Sequence, residues 1–275
     1  MDIASLAGVG LAFGSILVSL LLEGGDVGQF FNVPALLIVF GGSLGATMLS
    51  VPLPALLTAL RASRKVLRAR LADPMTSVAA LVELSRVARA DGVLSLESRL
   101  PDIEDDFLRK GVGLVVDGND PEVVSGILDT EIAAMEARHQ AVADVFKTMG
   151  GYTPTLGVLG TVMGLIHMLS KLSEPGKMGG AIAAAFIATM YGVGSANLLF
   201  LPIAAKLTVR SRQERAVREM MLEGILGLQS GDNPLTLQER LVAFISPGAR
   251  AAANGDGMPH KDGGQRGHAE DRQAA

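Results

Sequence analysis

The sequence predicts an all-α, polytopic membrane protein with four transmembrane helices and a helical cytoplasmic domain. Three observations predict it: four long runs carry no Asp, Glu, Lys or Arg, the polar stretches between them carry helix-capping signals, and the composition is strongly apolar. Of 275 residues, 49% are hydrophobic and 19% charged, with a mean hydropathy of +0.37. Segment length then decides between a membrane span and a soluble core.

The first run, Ile3 to Leu22, follows Met1-Asp2, which lacks a positively charged n-region and a small-residue cleavage site, so it is expected to stay as an anchor. The second runs from Phe31 to Val51. At about 1.5 Å per residue, each can cross a hydrocarbon core of roughly 30 Å. The short Glu23–Gln29 connection, rich in glycine, predicts a tight antiparallel hairpin over residues 1–51. Tyr152 to Leu169 and Ala181 to Ala204 are the third and fourth runs, joined by Lys171 to Gly180, and predict a second hairpin over 151–205.

Lys and Arg placement orients them. Arg61, Arg64, Lys65, Arg68 and Arg70 follow the second run, and Lys206, Arg210, Arg212, Arg215 and Arg218 follow the fourth. The connection near residue 26 has none, and that near 176 has Lys177 alone. Positive residues stay inside, so both termini and residues 52–150 are expected in the cytoplasm.

The cytoplasmic domain over 52–150 reads as helical. Asp73-Pro74 and Asp120-Pro121 each set an N-cap acid before a first-turn proline. Apolar stripes follow each: Val78, Leu81, Val82, Leu84 and Val87, then Val123, Val124, Ile127, Leu128, Ile132 and Met135. The second helix is expected to run through Val142 and Phe146 into the third span. Between the stripes, Gly92 closes one helix and Ser95 opens the next, leaving a charged bend that includes Arg89, Asp91 and Glu97. A basic helix from Lys206 to Leu228 and a short one capped by Thr236 and Glu239, ending near Ile245, fill residues 206–246. Residues 247–275 lack an apolar pattern and read as a disordered tail, and His260 and His268 within it make a poor metal site.

Several function classes are excluded. Without Cys there is no disulfide, Fe–S cluster or Cys-zinc site. A net charge of -4 with no strongly basic domain argues against nucleic acid. No phosphate loop or intramembrane carboxylate pair suggests an enzyme.

The informative absence is acidic. None of the four runs holds Asp or Glu, although a protein that carries cations usually needs an ionisable group at mid-depth. A carboxylate must then come from a partner. Gly157, Gly160, Thr161 and Gly164 on the third span, and Ala184, Ala188, Gly192 and Ala196 on the fourth, have the spacing for close helix packing. Thr161 lies eight residues from Thr153 at the cytoplasmic end, and Thr189 eight from Ala181 at the periplasmic end. On antiparallel helices both fall about 12 Å in, near mid-depth. Two hydroxyl oxygens there could help replace water around a small cation, or serve packing alone. Pro154 and Pro202 sit at the cytoplasmic ends of these helices as kinks or hinges, or, for Pro154, as a simple helix-start proline.

Residues Thr153 to Leu165 (TPTLGVLGTVMGL) resemble the third-span signature of the MotA/PomA flagellar stator subunits. Ala188-Thr189-Met190-Tyr191-Gly192 and Asn197 to Ala204 (NLLFLPIA) resemble its fourth-span signature. Met1-Asp2, Gly41-Gly42-Ser43 and Gly111 to Gly118 (GVGLVVDG) fit as well, so the resemblance covers about residues 1–245. It implies a bacterial inner-membrane protein without a cofactor, a pentameric ring around a dimer of a single-span MotB/PomB partner that supplies the missing Asp, and sodium or proton flow that turns the ring. It further implies that the cytoplasmic bend meets the rotor protein FliG through Arg89 and Glu97, that Pro154 and Pro202 couple flow to motion, and that Thr161 and Thr189 lie on the ion path. Thr at 161 leans toward sodium. Ala90 after Arg89, and Ser98 and Arg99 after Glu97, make the rotor-facing charge pattern thinner than in sodium-type members. The closest rival, an ExbB/TolQ-type proton-channel subunit, usually has fewer spans. A membrane scaffold without ion flux would explain the small residues but not the paired threonines and prolines.

Overall fold

A computed structural model describes residues 3–66, 73–173, 175–247 and 250. Arg68, Arg70 and nearly all of the tail, including both its histidines, therefore lie outside the described residues. Nine helices are described: α1 (Ile3–Leu22), α2 (Val33–Ser50), α3 (Leu53–Val66), α4 (Pro74–Asp91), α5 (Asp106–Val116), α6 (Pro121–Leu169), α7 (Pro175–Ser195), α8 (Leu201–Gln229) and α9 (Pro234–Val242). A 3₁₀ segment, Val93–Asp102, links α4 to α5, and π-helical turns interrupt α2 at Leu37–Gly41 and join α7 to α8 at Ala196–Phe200.

Three helical stretches are long and apolar enough to cross a membrane: Val33–Ser50, Pro121–Leu169 and Met178–Gln229, with a shorter apolar stretch at Ala7–Leu22 in α1. The helix that holds the fourth run begins at Pro175, ahead of Ala181, because proline is favoured in a helix's first turn. The tight hairpin expected of the first two spans is not formed. No described residue of α1 is buried.

α6 is the spine. Its 49 residues run from Pro121, with Asp120 at the N-cap, into the third span. At about 1.5 Å per residue it is roughly 74 Å long. Pro154 therefore sits inside a helix and not at its start.

Two apolar cores hang on this spine. The lower packs α4, the 3₁₀ segment, α5, the foot of α6, the far half of α8 and α9 around Leu81, Leu96, Phe107, Leu128, Met220, Ile225, Leu228, Leu237 and Leu241. Of the predicted stripes, Val87 is only half-buried and Val123 is 46% exposed, so the buried seam of α6 is Val124, Leu128, Ile132 and Met135. Val123 lies one step, about 100° of helix rotation, off that seam. Arg218 stacks over the Phe107 ring at 5.1 Å and pairs with Glu214 at 3.0 Å. Arg215 bridges α8 to α6 through Glu136 at 2.7 Å. Hydrogen bonding and charge from Glu219, then the charge of Glu136, hold its guanidinium above the usual range. The upper core sets Leu56 and Ala59 of α3 against Val142–Met149 of α6 and Phe200, Ala204 and Leu207.

The last helix starts earlier than the Thr236–Glu239 box implied. Asn233 is its N-cap, accepting from the Leu235 amide at 3.0 Å, and Pro234 takes the first position. The fixed φ of Pro234 sets the helix one turn sooner, leaving Thr236 inside it.

Candidate functional site

α6 and α7 meet along a seam nearly free of side chains. A Cβ on Gly192 would sit 2.7 Å from the Thr153 carbonyl oxygen and 2.9 Å from the Gly157 Cα. One on Gly157 would sit 3.0 Å from the Ala188 carbonyl, and ones on Gly160 and Gly164 would meet the methyls of Ala188 and Ala185 at 2.7 and 2.8 Å. Backbone therefore lies against backbone. The predicted small residues form this seam, with one shift of phase: Ala185, buried, faces Gly164, whereas Ala184 is only half-buried.

Within the seam, Thr161 and Thr189 are in direct contact, their hydroxyls sharing a short hydrogen bond. The Thr161 Oγ1 also lies 3.1 Å from the carbonyl of Gly157 on its own helix and 3.1 Å from that of Ala185 across the seam. Each threonine has one hydroxyl proton. With Thr189 donating to Thr161, the Thr161 proton is left for one of two carbonyls. Four oxygens thus converge at a half-buried point inside the spans, with no carboxylate among them. Such a cluster can lock two helices or share a small cation with an outside oxygen donor.

One level down, the predicted prolines are brought close through their neighbours. Pro154 has no N–H for the Gly150 carbonyl, and a Cβ on Gly150 would lie 2.8 Å from the side chain of Leu201, the residue before Pro202. Pro202 itself follows the π-helical turn Ala196–Phe200, whose extra residue accommodates a position that cannot donate to the ladder. Thr153 hydrogen-bonds back to the Met149 carbonyl just before Pro154.

Arg89 and Glu97 lie apart from this seam. Arg89 is in the last turn of α4, Gly92 breaks the helix with φ of +86°, and Glu97 is on the 3₁₀ segment, where Ser95 Oγ donates to the Gly92 carbonyl at 2.6 Å. Both charges are exposed and, among the described residues, neither forms an ion pair. Leu96, between them and the interior, shares a core with Leu128 of α6. That level is about 37 Å below Thr153 at helical rise.

The sequence reading missed Tyr191. Its hydroxyl donates to the Phe30 carbonyl and accepts from the Asn32 amide at 3.2 Å, tying α7 to the start of α2. A tyrosine in an apolar span needs a partner for its hydroxyl, and that was the available signal.

The profile of the MotA/TolQ/ExbB proton channel family matches residues 99–220. Motility protein A of Borreliella burgdorferi is 37% identical over 254 residues, covering 92% of this chain and 98% of that protein. The chain belongs to the MotA/TolQ/ExbB proton channel family. Chemotaxis protein PomA of Vibrio alginolyticus is 35% identical over 91% of this chain and 98% of its own length. The fold matches the MotAB structure of C. jejuni with a TM-score of 0.86 at 31% identity, and the flagellar MotAB stator complex of Bacillus subtilis with 0.83 at 35%, each over 90% of this chain.

Proposed function

We propose that this chain is a flagellar motor stator subunit that, with a MotB/PomB-type single-span partner, forms a cation channel turning ion flow into torque. The observation that carries it is the seam: a cluster of Thr161 and Thr189 oxygens inside spans that hold no acid, on a chain similar over nearly its whole length to motility proteins. A cation crossing here needs a carboxylate, and only a partner can supply it. Likeness to Motility protein A and to PomA favours this role over an ExbB/TolQ-type subunit or an enzyme.

On this reading α1 also spans the membrane, which makes four spans, both termini are cytoplasmic, the membrane is the bacterial inner membrane, and several copies ring the partner. Thr161 and Thr189 line the ion path beside the partner's Asp. Pro154 and Pro202 let α6 and the α7–α8 rod bend as that Asp gains and loses its cation. Arg89 and Glu97 meet FliG on the rotor. The oxygen cluster suits sodium, because hydroxyl and carbonyl oxygens replace its hydration shell.

The test is swimming speed against external sodium, at fixed pH and ionic strength, in cells whose only stator is this subunit with its cognate partner. Speed that rises and saturates with sodium is expected. Speed indifferent to sodium but abolished by a protonophore makes the transported ion a proton. Immobility despite a correctly inserted complex would overturn the stator role.

A further inference from the structure

The chain has two tyrosines, and both tie α2 to the helices behind it. At the C-terminal end of α2, the Ser50 and Tyr152 hydroxyls share a hydrogen bond of 2.7 Å. At its head, the Tyr191 hydroxyl donates to the Phe30 carbonyl and accepts from the Asn32 amide. Asn32 in turn caps α2, its Oδ1 accepting from the Ala35 amide at 3.0 Å. Between the two ties, Ala35, Val39, Ser43 and Thr47 are all buried. A Cβ on Gly160 would meet the Ile38 side chain at 3.7 Å, so α2 packs at the level of the threonine cluster, one residue from Thr161.

Thr189 and Tyr191 grip α7 from opposite sides. They are two residues apart, about 200° of helix rotation. On the arc between them lie Ala188 and Gly192, which face Gly160 and Gly157. Thr189 therefore holds α7 to α6 on one flank of the seam, and Tyr191 holds it to the head of α2 on the other. The seam sets backbone on backbone, which fixes how close the helices lie. It carries no large side chain keyed into its neighbour, so the rotation of α7 is left to the hydroxyls on its flanks. The Tyr191 hydroxyl is not itself placed to hold the ion. Its one proton goes to Phe30, a lone pair serves Asn32, and Thr161 lies on the far flank of α7.

We propose that Tyr191 is the positioning residue of the threonine cluster, a role that rests on Thr161 and Thr189 lining the ion path. Its bonds to the head of α2 hold α7 at the rotation that turns Thr189 toward Thr161. Without them a smaller fraction of the cluster is competent to bind, and the apparent affinity for the cation falls by that fraction. A strap that merely held α2 in place would change how much complex folds, not how tightly the cluster binds.

Swimming speed is read against external sodium, at fixed pH and ionic strength, in cells whose only stator is this subunit with its cognate partner. Tyr191→Phe keeps the ring beside Phe40 and removes only the hydroxyl. An interhelical hydrogen bond in a membrane is worth roughly threefold in an equilibrium constant, and two bonds are lost. The sodium concentration for half-maximal speed should therefore rise roughly three- to eightfold, while speed at saturating sodium stays near the parent's. Tyr152→Phe, which loses the other tie, should leave the half-maximal concentration unchanged. In a Thr189→Ala background, Tyr191→Phe should add no further shift, because residues that act through one another are not additive. Where a variant does not swim, the same shift is read as the sodium concentration that raises the thermal midpoint of the purified complex with its partner. In a proton-driven parent, the same comparison is made against external proton concentration. A Tyr191→Phe response that falls equally at every ion concentration makes the tyrosine a strap and overturns the proposal. So does an equal further shift in Thr189→Ala, or a half-maximal concentration that Tyr191→Phe leaves in place while Thr161→Ala moves it. If neither Thr161→Ala nor Thr189→Ala moves it, the ion-path reading falls, and this role with it.

Discussion

Thr161 and Gly192 lie on the same seam but fail differently when changed. Thr161→Ala removes one oxygen of the cluster and leaves backbone packing untouched, because the Gly157, Gly160 and Gly164 contacts do not depend on it. Loss of one interhelical hydrogen bond in a membrane costs about 0.6 kcal/mol on average. The protein should therefore fold and assemble, while the sodium concentration for half-maximal swimming speed rises several-fold; Thr161→Ser should restore it. An unchanged sodium response in Thr161→Ala would make the threonine a packing group only. Gly192→Ala is the opposite case. Its methyl would fall 2.7 Å from the Thr153 carbonyl oxygen, where backbone and not a flexible side chain must give way. Overpacking of this kind costs about 1–3 kcal/mol. The thermal midpoint of the detergent-solubilised complex should drop, and swimming should fail at every sodium concentration. A variant with parent-like stability would show that the seam is looser than the structure has it.

At the scale of elements, the short last helix offers a direct contest between two caps. Asn233 accepts from the Leu235 amide, while Thr236 lies within the helix. Removing an N-cap costs about 1 kcal/mol, whereas Thr→Ala inside a helix is neutral or slightly favourable. Asn233→Ala should speed proteolysis near α9 and Thr236→Ala should not; the reverse order would restore the capping box. That box was a misreading because both patterns satisfy the same local rule, and the proline between them decides. Three of the four runs were legible as helices long and apolar enough to cross a membrane, because charge-free runs of this length have few alternatives. The shared depth of Thr161 and Thr189 was legible because helical rise and antiparallel direction alone fix it. Depth does not fix rotation, so the facing residue proved to be Ala185 rather than Ala184. The stand-off of α1 and the Tyr191 tie to Asn32, 159 residues apart, depend on tertiary packing that no local pattern carries.

For the molecule as a whole, the question is how an event between Thr161 and Thr189 reaches Arg89 and Glu97. Thr161 is 33 residues along α6 from Leu128, the residue that shares a core with Leu96. That is about 50 Å at helical rise. No loop intervenes on either route. α6 is one helix, and α7 passes through the π-helical turn directly into α8, whose Met220, Ile225 and Leu228 lie in the same lower core. The Arg215–Glu136 pair ties the two routes together between seam and bend, and Arg218 stacks on Phe107 of α5 in the lower domain. A rotation or tilt at the prolines is thus carried by two stiff rods into a packed domain, and the exposed charges ride on it as passengers. On the proposed assignment of these residues, ion flow and delivery of torque are separated in space. Arg89→Glu should therefore leave ion flux through the assembled complex unchanged, measured as growth inhibition or dye-reported uptake in cells. Torque on a tethered cell should fall severalfold, and a charge reversal on the rotor face should recover part of it. Normal torque in Arg89→Glu would remove the bend from the rotor contact. A parallel loss of flux would mean that the lower domain acts back on the seam, and the two rods would then transmit in both directions.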